Sequence, residues 1–310
     1  MVTHFLTIAT ILSLLFGGGA GGCHAGQSAK SQDNKSQASP KQEDSPVDKQ
    51  IPSANELKIV AEGFHSSITK PFIAVIRDAS TYSELAKLEP NLPKLDNDFK
   101  NNILVAAFCG ERNTGGYSVE ISRNQTGEIH VQEAKPGKDM MVAQMITSPF
   151  KVVSIAASPA MPVPIRLDSA WTDSLSYYTI SKGTFTVSGG FAGRREEFEL
   201  SGGVAMMRHK RLVSFRFTLR SKEKGEKVLL EDFATGTIES DAIKIAALSD
   251  GDLIPPPTNG LEANGRLTNH EQNLSLTFIS LPTMIADGFG GGGMIEAVRV
   301  APTATNSPAP

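Results

Sequence analysis

The chain has 310 residues, with 30 Lys and Arg against 33 Asp and Glu for a net charge of −3, so it carries no global field for nucleic acid. Its 2 cysteines are too few for a disulfide framework or a cysteine-rich zinc site. Residues 5–16, FLTIATILSLLF, are too short to span a bilayer and have the length of a signal-peptide core.

Small residues Gly17 to Gly22 lead from that core to Cys23, which resembles a bacterial lipoprotein processing site, although Ala20 stands where such sites usually carry Leu. This predicts a signal peptide over 1–22 and lipidation of Cys23, which would insert into a lipid bilayer. Cleavage after Ala25, as in an ordinary secretory signal, is the alternative. Either way the protein is expected to be exported to the cell envelope: lipid-anchored in the first case, secreted or periplasmic in the second. Residues 24–55 are rich in Ser, Gln, Lys, Asp and Pro, with four lysines balanced by four acids. They bury too little to offset ordering entropy and are expected to be a disordered tether. The Pro- and Thr-rich end, 301–310, is expected to fray.

A first folded region is expected over 56–157. Residues 72–77, FIAVIR, predict a strand, and 81–88 a helix that Pro90 and Pro93 end, with a turn or cap at Asp78. The unbroken apolar run 103–108, ILVAAF, suits a strand buried on both faces. Tyr117, Val119 and Ile121 alternate with polar residues, 124–127 form a hairpin turn into Ile129 and Val131, and 150–155 close the region.

The order of Phe64-His65-Ser66-Ser67, the apolar strand, Thr114-Gly115-Gly116-Tyr117-Ser118-Val119 and Thr147-Ser148-Pro149-Phe150 resembles the C-terminal domain of the protease complex subunit PrcB family, over about residues 60–157. Asn113 departs from the Pro that often precedes the Thr. The resemblance implies an accessory lipoprotein that helps another exported protein, a surface protease, to assemble. It offers no catalytic residues to carry over. Gly115 and Gly116 permit positive φ and close backbone approach, so Arg112, Asn113, Thr114, Gly115, Gly116 and Tyr117 form a candidate partner-binding loop. A plain turn between strands is the simpler alternative.

Residues 158–169, with three prolines in SPAMPVPI, are expected to be a spacer before a second region over 170–300. There, short strands recur; 212–220 alternates most cleanly, with Val213, Phe215, Phe217 and Leu219 facing one way. The predicted class is mainly β: a PrcB-like domain with one helix, then an antiparallel sandwich or barrel. Residues 208–227 hold eight basic residues against two acidic ones. Arg208, Lys210, Arg211, Arg216, Arg220, Lys222 and Lys224 are therefore a candidate contact to an anionic surface, with a solvated hairpin tip as the alternative.

Cys109 reads as a small buried hydrophobe, since none of His65, His130, His209 and His270 stands in a recognisable signature with it. No His or Cys spacing suits a metal, and no cofactor motif appears; 288–293, GFGGGG, lacks the Lys-Ser/Thr ending of a phosphate loop. Met140, Met141 and Met145 are expected in core or edge packing. The leading reading is a non-catalytic exported lipoprotein that binds or assembles another exported protein. The second is a small-molecule or glycan-binding β-domain with a cavity in 170–300. The third is an enzyme using carboxylates such as Glu111 and Glu120.

Overall fold

The computed structural model describes residues 57–95, 99, 101–157, 162–189, 194–222, 227–245, 261–281 and 291–301. The signal segment, Cys23, the expected tether, Lys224 and residues 302–310 lie outside the described residues.

The first region is built on a four-stranded antiparallel sheet. β1 (Leu57–Gly63) opens it, followed by β2 (Phe72–Ile76), helix α1 (Ala79–Leu88) and β3 (Asn102–Phe108). After β4 (Ser118–Arg123) and β5 (Ile129–Ala134), β6 (Phe150–Ala156) returns between β1 and β3, giving the order β1-β6-β3-β2. β3 is buried from Ile103 to Phe108, as its unbroken apolar run requires. Asp78 caps α1 as expected, accepting from Thr81 N at 2.8 Å and from the Thr81 hydroxyl at 2.7 Å. At the other end of α1, Glu89 is buried and accepts from Ser66 Oγ at 2.5 Å and Ser67 N at 2.7 Å, fixing the approach to β2.

β4 and β5 pair as a hairpin, and β7 (Ile165–Leu167) adds to β5 in parallel, although it falls in the stretch expected to be a spacer. Asp168 then caps the short helix α2 (Ser169–Thr172), whose Trp171 is fully buried and donates Nε1–H to Phe108 O at 2.9 Å.

The second region is a closed eight-stranded antiparallel barrel. Its strands are β8 (Ser176–Gly189), β9 (Arg194–His209), β10 (Leu212–Ser221), β11 (Lys227–Glu239), β12 (Ala242–Ile245), β13 (Glu262–Thr268), β14 (Asn273–Leu281) and β15 (Gly291–Val300), and β15 closes onto β8. Of the two architectures expected, the barrel is the one formed. Val213, Phe215, Phe217 and Leu219 are buried, and they pack with Phe185, Leu200, Leu230 and Phe278 to fill the interior. Phe217 stacks on Phe215 at 5.7 Å and meets Phe278 edge-on at 5.8 Å. Arg216, Thr218 and Arg220 face the other way, so β10 is apolar inward and polar outward, the reverse of a lipid-facing barrel strand.

The two regions share one core, and the described residues all fall in a single compact unit. Ala205, Met207, Leu212 and Phe233 of the barrel are buried among the side chains of the first region. β2, at the margin of its sheet, donates Val75 N–H to Thr235 Oγ1 at 2.8 Å, and that hydroxyl is 2.8 Å from Ser214 Oγ. The edge is therefore covered rather than left open.

Candidate functional site

The candidate loop begins where β3 ends. Glu111 N donates to Thr69 O at 3.0 Å. Arg112 and Thr147 exchange two backbone bonds, of 2.7 and 2.9 Å. Gly115 N reaches Ala143 O at 2.8 Å, and Thr147 Oγ1 donates to Thr114 O at 2.9 Å. The loop is thus laced to residues 143–147 along its length. Gly116 has φ +84, and a Cβ there would stand 2.9 Å from both Pro136 Cβ and Val142 Cγ1. Only glycine fits that conformation without strain.

Arg112 is already engaged. Its Nε bonds Glu133 Oε1 at 2.5 Å, its Nη1 donates to Glu111 O at 2.9 Å, and its guanidinium lies 5.9 Å from the Tyr117 ring centroid. The Glu133 carboxylate is almost fully buried, and the Glu133 backbone N–H is held by Asp168 Oδ2 at 2.7 Å. Arg112 therefore braces the loop against β5. Asn113 and the Gly116 backbone are exposed.

The segment laced to this loop carries Met140, Met141 and Met145, expected in core or edge packing and instead exposed, together with Ile146. Met141 is fully exposed, Met140 is 63 % and Met145 46 % exposed, and Ile146 is 63 % exposed. Phe64, just past the end of β1 and bonded through its carbonyl to Ser148 N, is 57 % exposed. The methionines follow Pro136-Gly137-Lys138-Asp139, without strand or helix periodicity. That loop-like context was the available signal that they do not belong to a buried face.

The basic run does not converge. Arg208, Lys210 and Arg211 sit at one end of β10, and Arg220 and Lys222 at the other, ten strand residues or about 33 Å away. Lys210 turns the chain with φ 52. Several members face carboxylates: Arg208 with Glu271 at 2.5 Å, Arg216 with Glu231 at 3.3 Å, Lys222 with Glu199 at 3.2 Å, and Arg211 with Glu239. The linear excess of charge is divided and partly compensated in space.

Cys109 is fully buried, and burial pushes its thiol up to about 12, with Glu133 adding to the rise and Arg112 opposing it. Among the described residues no group of three or more His, Cys, Asp or Glu is placed to hold a metal. Within the same limit, no helix is long and apolar enough to cross a membrane.

Residues 103–156, from β3 through the loop and the methionine segment to β6, match the protein family described as PrcB C-terminal. No curated protein matches the chain. Among solved structures, the chain is similar to the crystal structure of a Trp-176-Ala mutant of the vaccine antigen Transferrin Binding Protein B from Haemophilus parasuis Hp5. The identity is 10 %, the TM-score is 0.26, and the match covers 62 % of this chain and 39 % of that one.

Proposed function

We propose that this is a non-catalytic exported binding subunit that docks another exported protein through the face formed by the Arg112–Tyr117 loop and the methionine segment. The observation that carries the reading is the exposure of Met140, Met141, Met145 and Ile146 on the segment laced to one backbone-clamped loop, with exposed Phe64 bonded to the adjoining Ser148. Exposed apolar side chains grouped in this way, beside polar residues, are the usual mark of a protein contact. Methionine adapts its shape to an apolar partner surface. The loop beneath is held by backbone bonds and the Arg112–Glu133 pair, so little ordering is left to be done on binding. The family match over 103–156 includes the Arg112–Tyr117 loop and the methionine segment, though not Phe64, and favours an assembly role, with an exported protease as the partner class. Lipidation of Cys23 would hold the unit at the membrane, with residues 24–55 as its tether.

The test places a photo-crosslinking residue at Met141 in the full chain in its native cell. Capture of one exported protein, lost in Met140→Glu and Met145→Glu variants but kept in a Lys222→Glu control, supports the reading. Capture that ignores the methionine changes, or no protein capture at all, refutes it. In the same sample, a mature N-terminal peptide bearing diacylated Cys23 supports anchoring, and one starting at Gly26 removes it.

A further inference from the structure

The barrel wall carries a second candidate site, unrelated to the loop. The strand register lays out two outward rows across β11 to β14. Thr237 faces Lys244, Lys244 faces Asn264, and Asn264 faces Thr277. In the next row Glu239 faces Ala242, Ala242 faces Arg266, and Arg266 faces Ser275. These residues line an open groove of about 790 Å³. A smaller recess of about 190 Å³ shares Thr237 and Lys244 and brings Arg211 to the groove's margin beside α1.

We infer that this groove binds an acidic oligosaccharide, held by Lys244 and Arg266 and by the surrounding hydroxyl and amide groups. Both cations are exposed on the wall. Among the described residues lining the groove, the carboxylate of Glu239 is paired with Arg211, which leaves Lys244 and Arg266 as its positive charges; Glu296, across from Ser275, and Glu84, in the smaller recess, bound the cationic stretch. They are diagonal neighbours in the register, a spacing of about 7–8 Å that suits successive anionic groups along a chain. The four strands span about 15 Å, enough for a few sugar rings.

Thr237, Asn264, Ser275 and Thr277 offer donors and acceptors to ring hydroxyls, while Lys244 and Arg266 supply charge-assisted bonds to carboxylates. Among the described residues the lining contains no aromatic ring, so recognition rests on charge and hydrogen bonds rather than stacking. A peptide strand fits less well: the strands lining the groove are paired on both sides within a closed barrel, leaving no edge there for an added strand. The barrel interior is filled with packed side chains, so the ligand site is the outer wall.

The experiment uses the full chain and polygalacturonate, a uronate polymer, in affinity electrophoresis, with neutral dextran alongside. Retardation by polygalacturonate at low salt, weakened at least tenfold in Lys244→Ala and Arg266→Ala but not in Arg220→Ala, supports the site. Because both side chains are exposed, the variants should keep the wild-type thermal midpoint, which is measured in parallel. Asn264→Asp, which adds a negative charge between the cations, should weaken retardation to a similar degree. No retardation, equal retardation by dextran, or retardation indifferent to Lys244 and Arg266 overturns the inference.

Discussion

Arg77 Nη2 stands 2.7 Å from Asp232 Oδ1, an ion pair between the end of β2 and the barrel strand β11 with both side chains almost sealed from water. Arg77 Nη1 also donates to Phe233 O at 2.7 Å, and the same Asp232 oxygen accepts from Val163 N at 2.8 Å, so one carboxylate ties together both regions and the segment that joins them. Burial pushes the Asp232 carboxyl up, against the pull of Arg77 and the backbone N–H groups. Removing one partner leaves the other charged and desolvated. Asp232→Ala should cost about 3–5 kcal/mol in urea unfolding, whereas Arg77→Met combined with Asp232→Leu should cost far less. A single substitution costing under about 1 kcal/mol would show that water reaches the pair.

His209 gives the junction a pH dependence. Its ring is buried beside Phe72, at 6.1 Å between centroids, and Nε2 has no hydrogen-bond partner among the described residues. Burial holds its pKa below the ordinary histidine value, and the charges of Lys210 and Lys70 lower it further. The unfolded chain therefore takes up the proton first as pH falls. The contribution of neutral His209 is fully present above about pH 6.5 and is lost as pH falls through the folded value. Urea midpoints measured from about pH 7.5 to about pH 5 should fall in the wild type and fall less steeply in His209→Leu. Equal slopes would remove His209 as the cause.

β10 was legible because its alternation is local: 212–220 predicts it almost to the residue. α1 and its Asp78 cap, and the doubly buried β3, were readable for the same reason. β7 was hidden because three residues directly after Pro164 carry no periodicity, and their strand form depends on pairing with β5, 36 positions earlier. The basic run looked like a patch because sequence distance is short, yet an extended strand carries its ends far apart. The groove on the wall was invisible for the converse reason: Lys244, Arg266 and Ser275 meet only through register.

Cys109 should behave as a core residue. A fully buried thiol pushed up to about 12 offers almost no thiolate near neutral pH. Iodoacetamide should leave it unmodified in the native protein and label it readily in denaturant, as read by peptide mass. Native labelling on the timescale of a free thiol would contradict the burial and reopen a nucleophilic role.

The two loop glycines make a matched pair for separating backbone need from simple smallness. A Cβ at Gly115 would lie 3.6 Å from Ala143, an ordinary contact, so Gly115→Ala should be close to neutral. Gly116 has positive φ, and its Cβ would press on Pro136 and Val142 at 2.9 Å. Gly116→Ala should lose about 1–3 kcal/mol through strain. The strain should also loosen the neighbouring Gly115 N to Ala143 O bond, seen as faster amide exchange at Gly115. Equal effects of the two substitutions would show that the loop can shift freely, and would remove the rigid frame on which the proposed partner face depends.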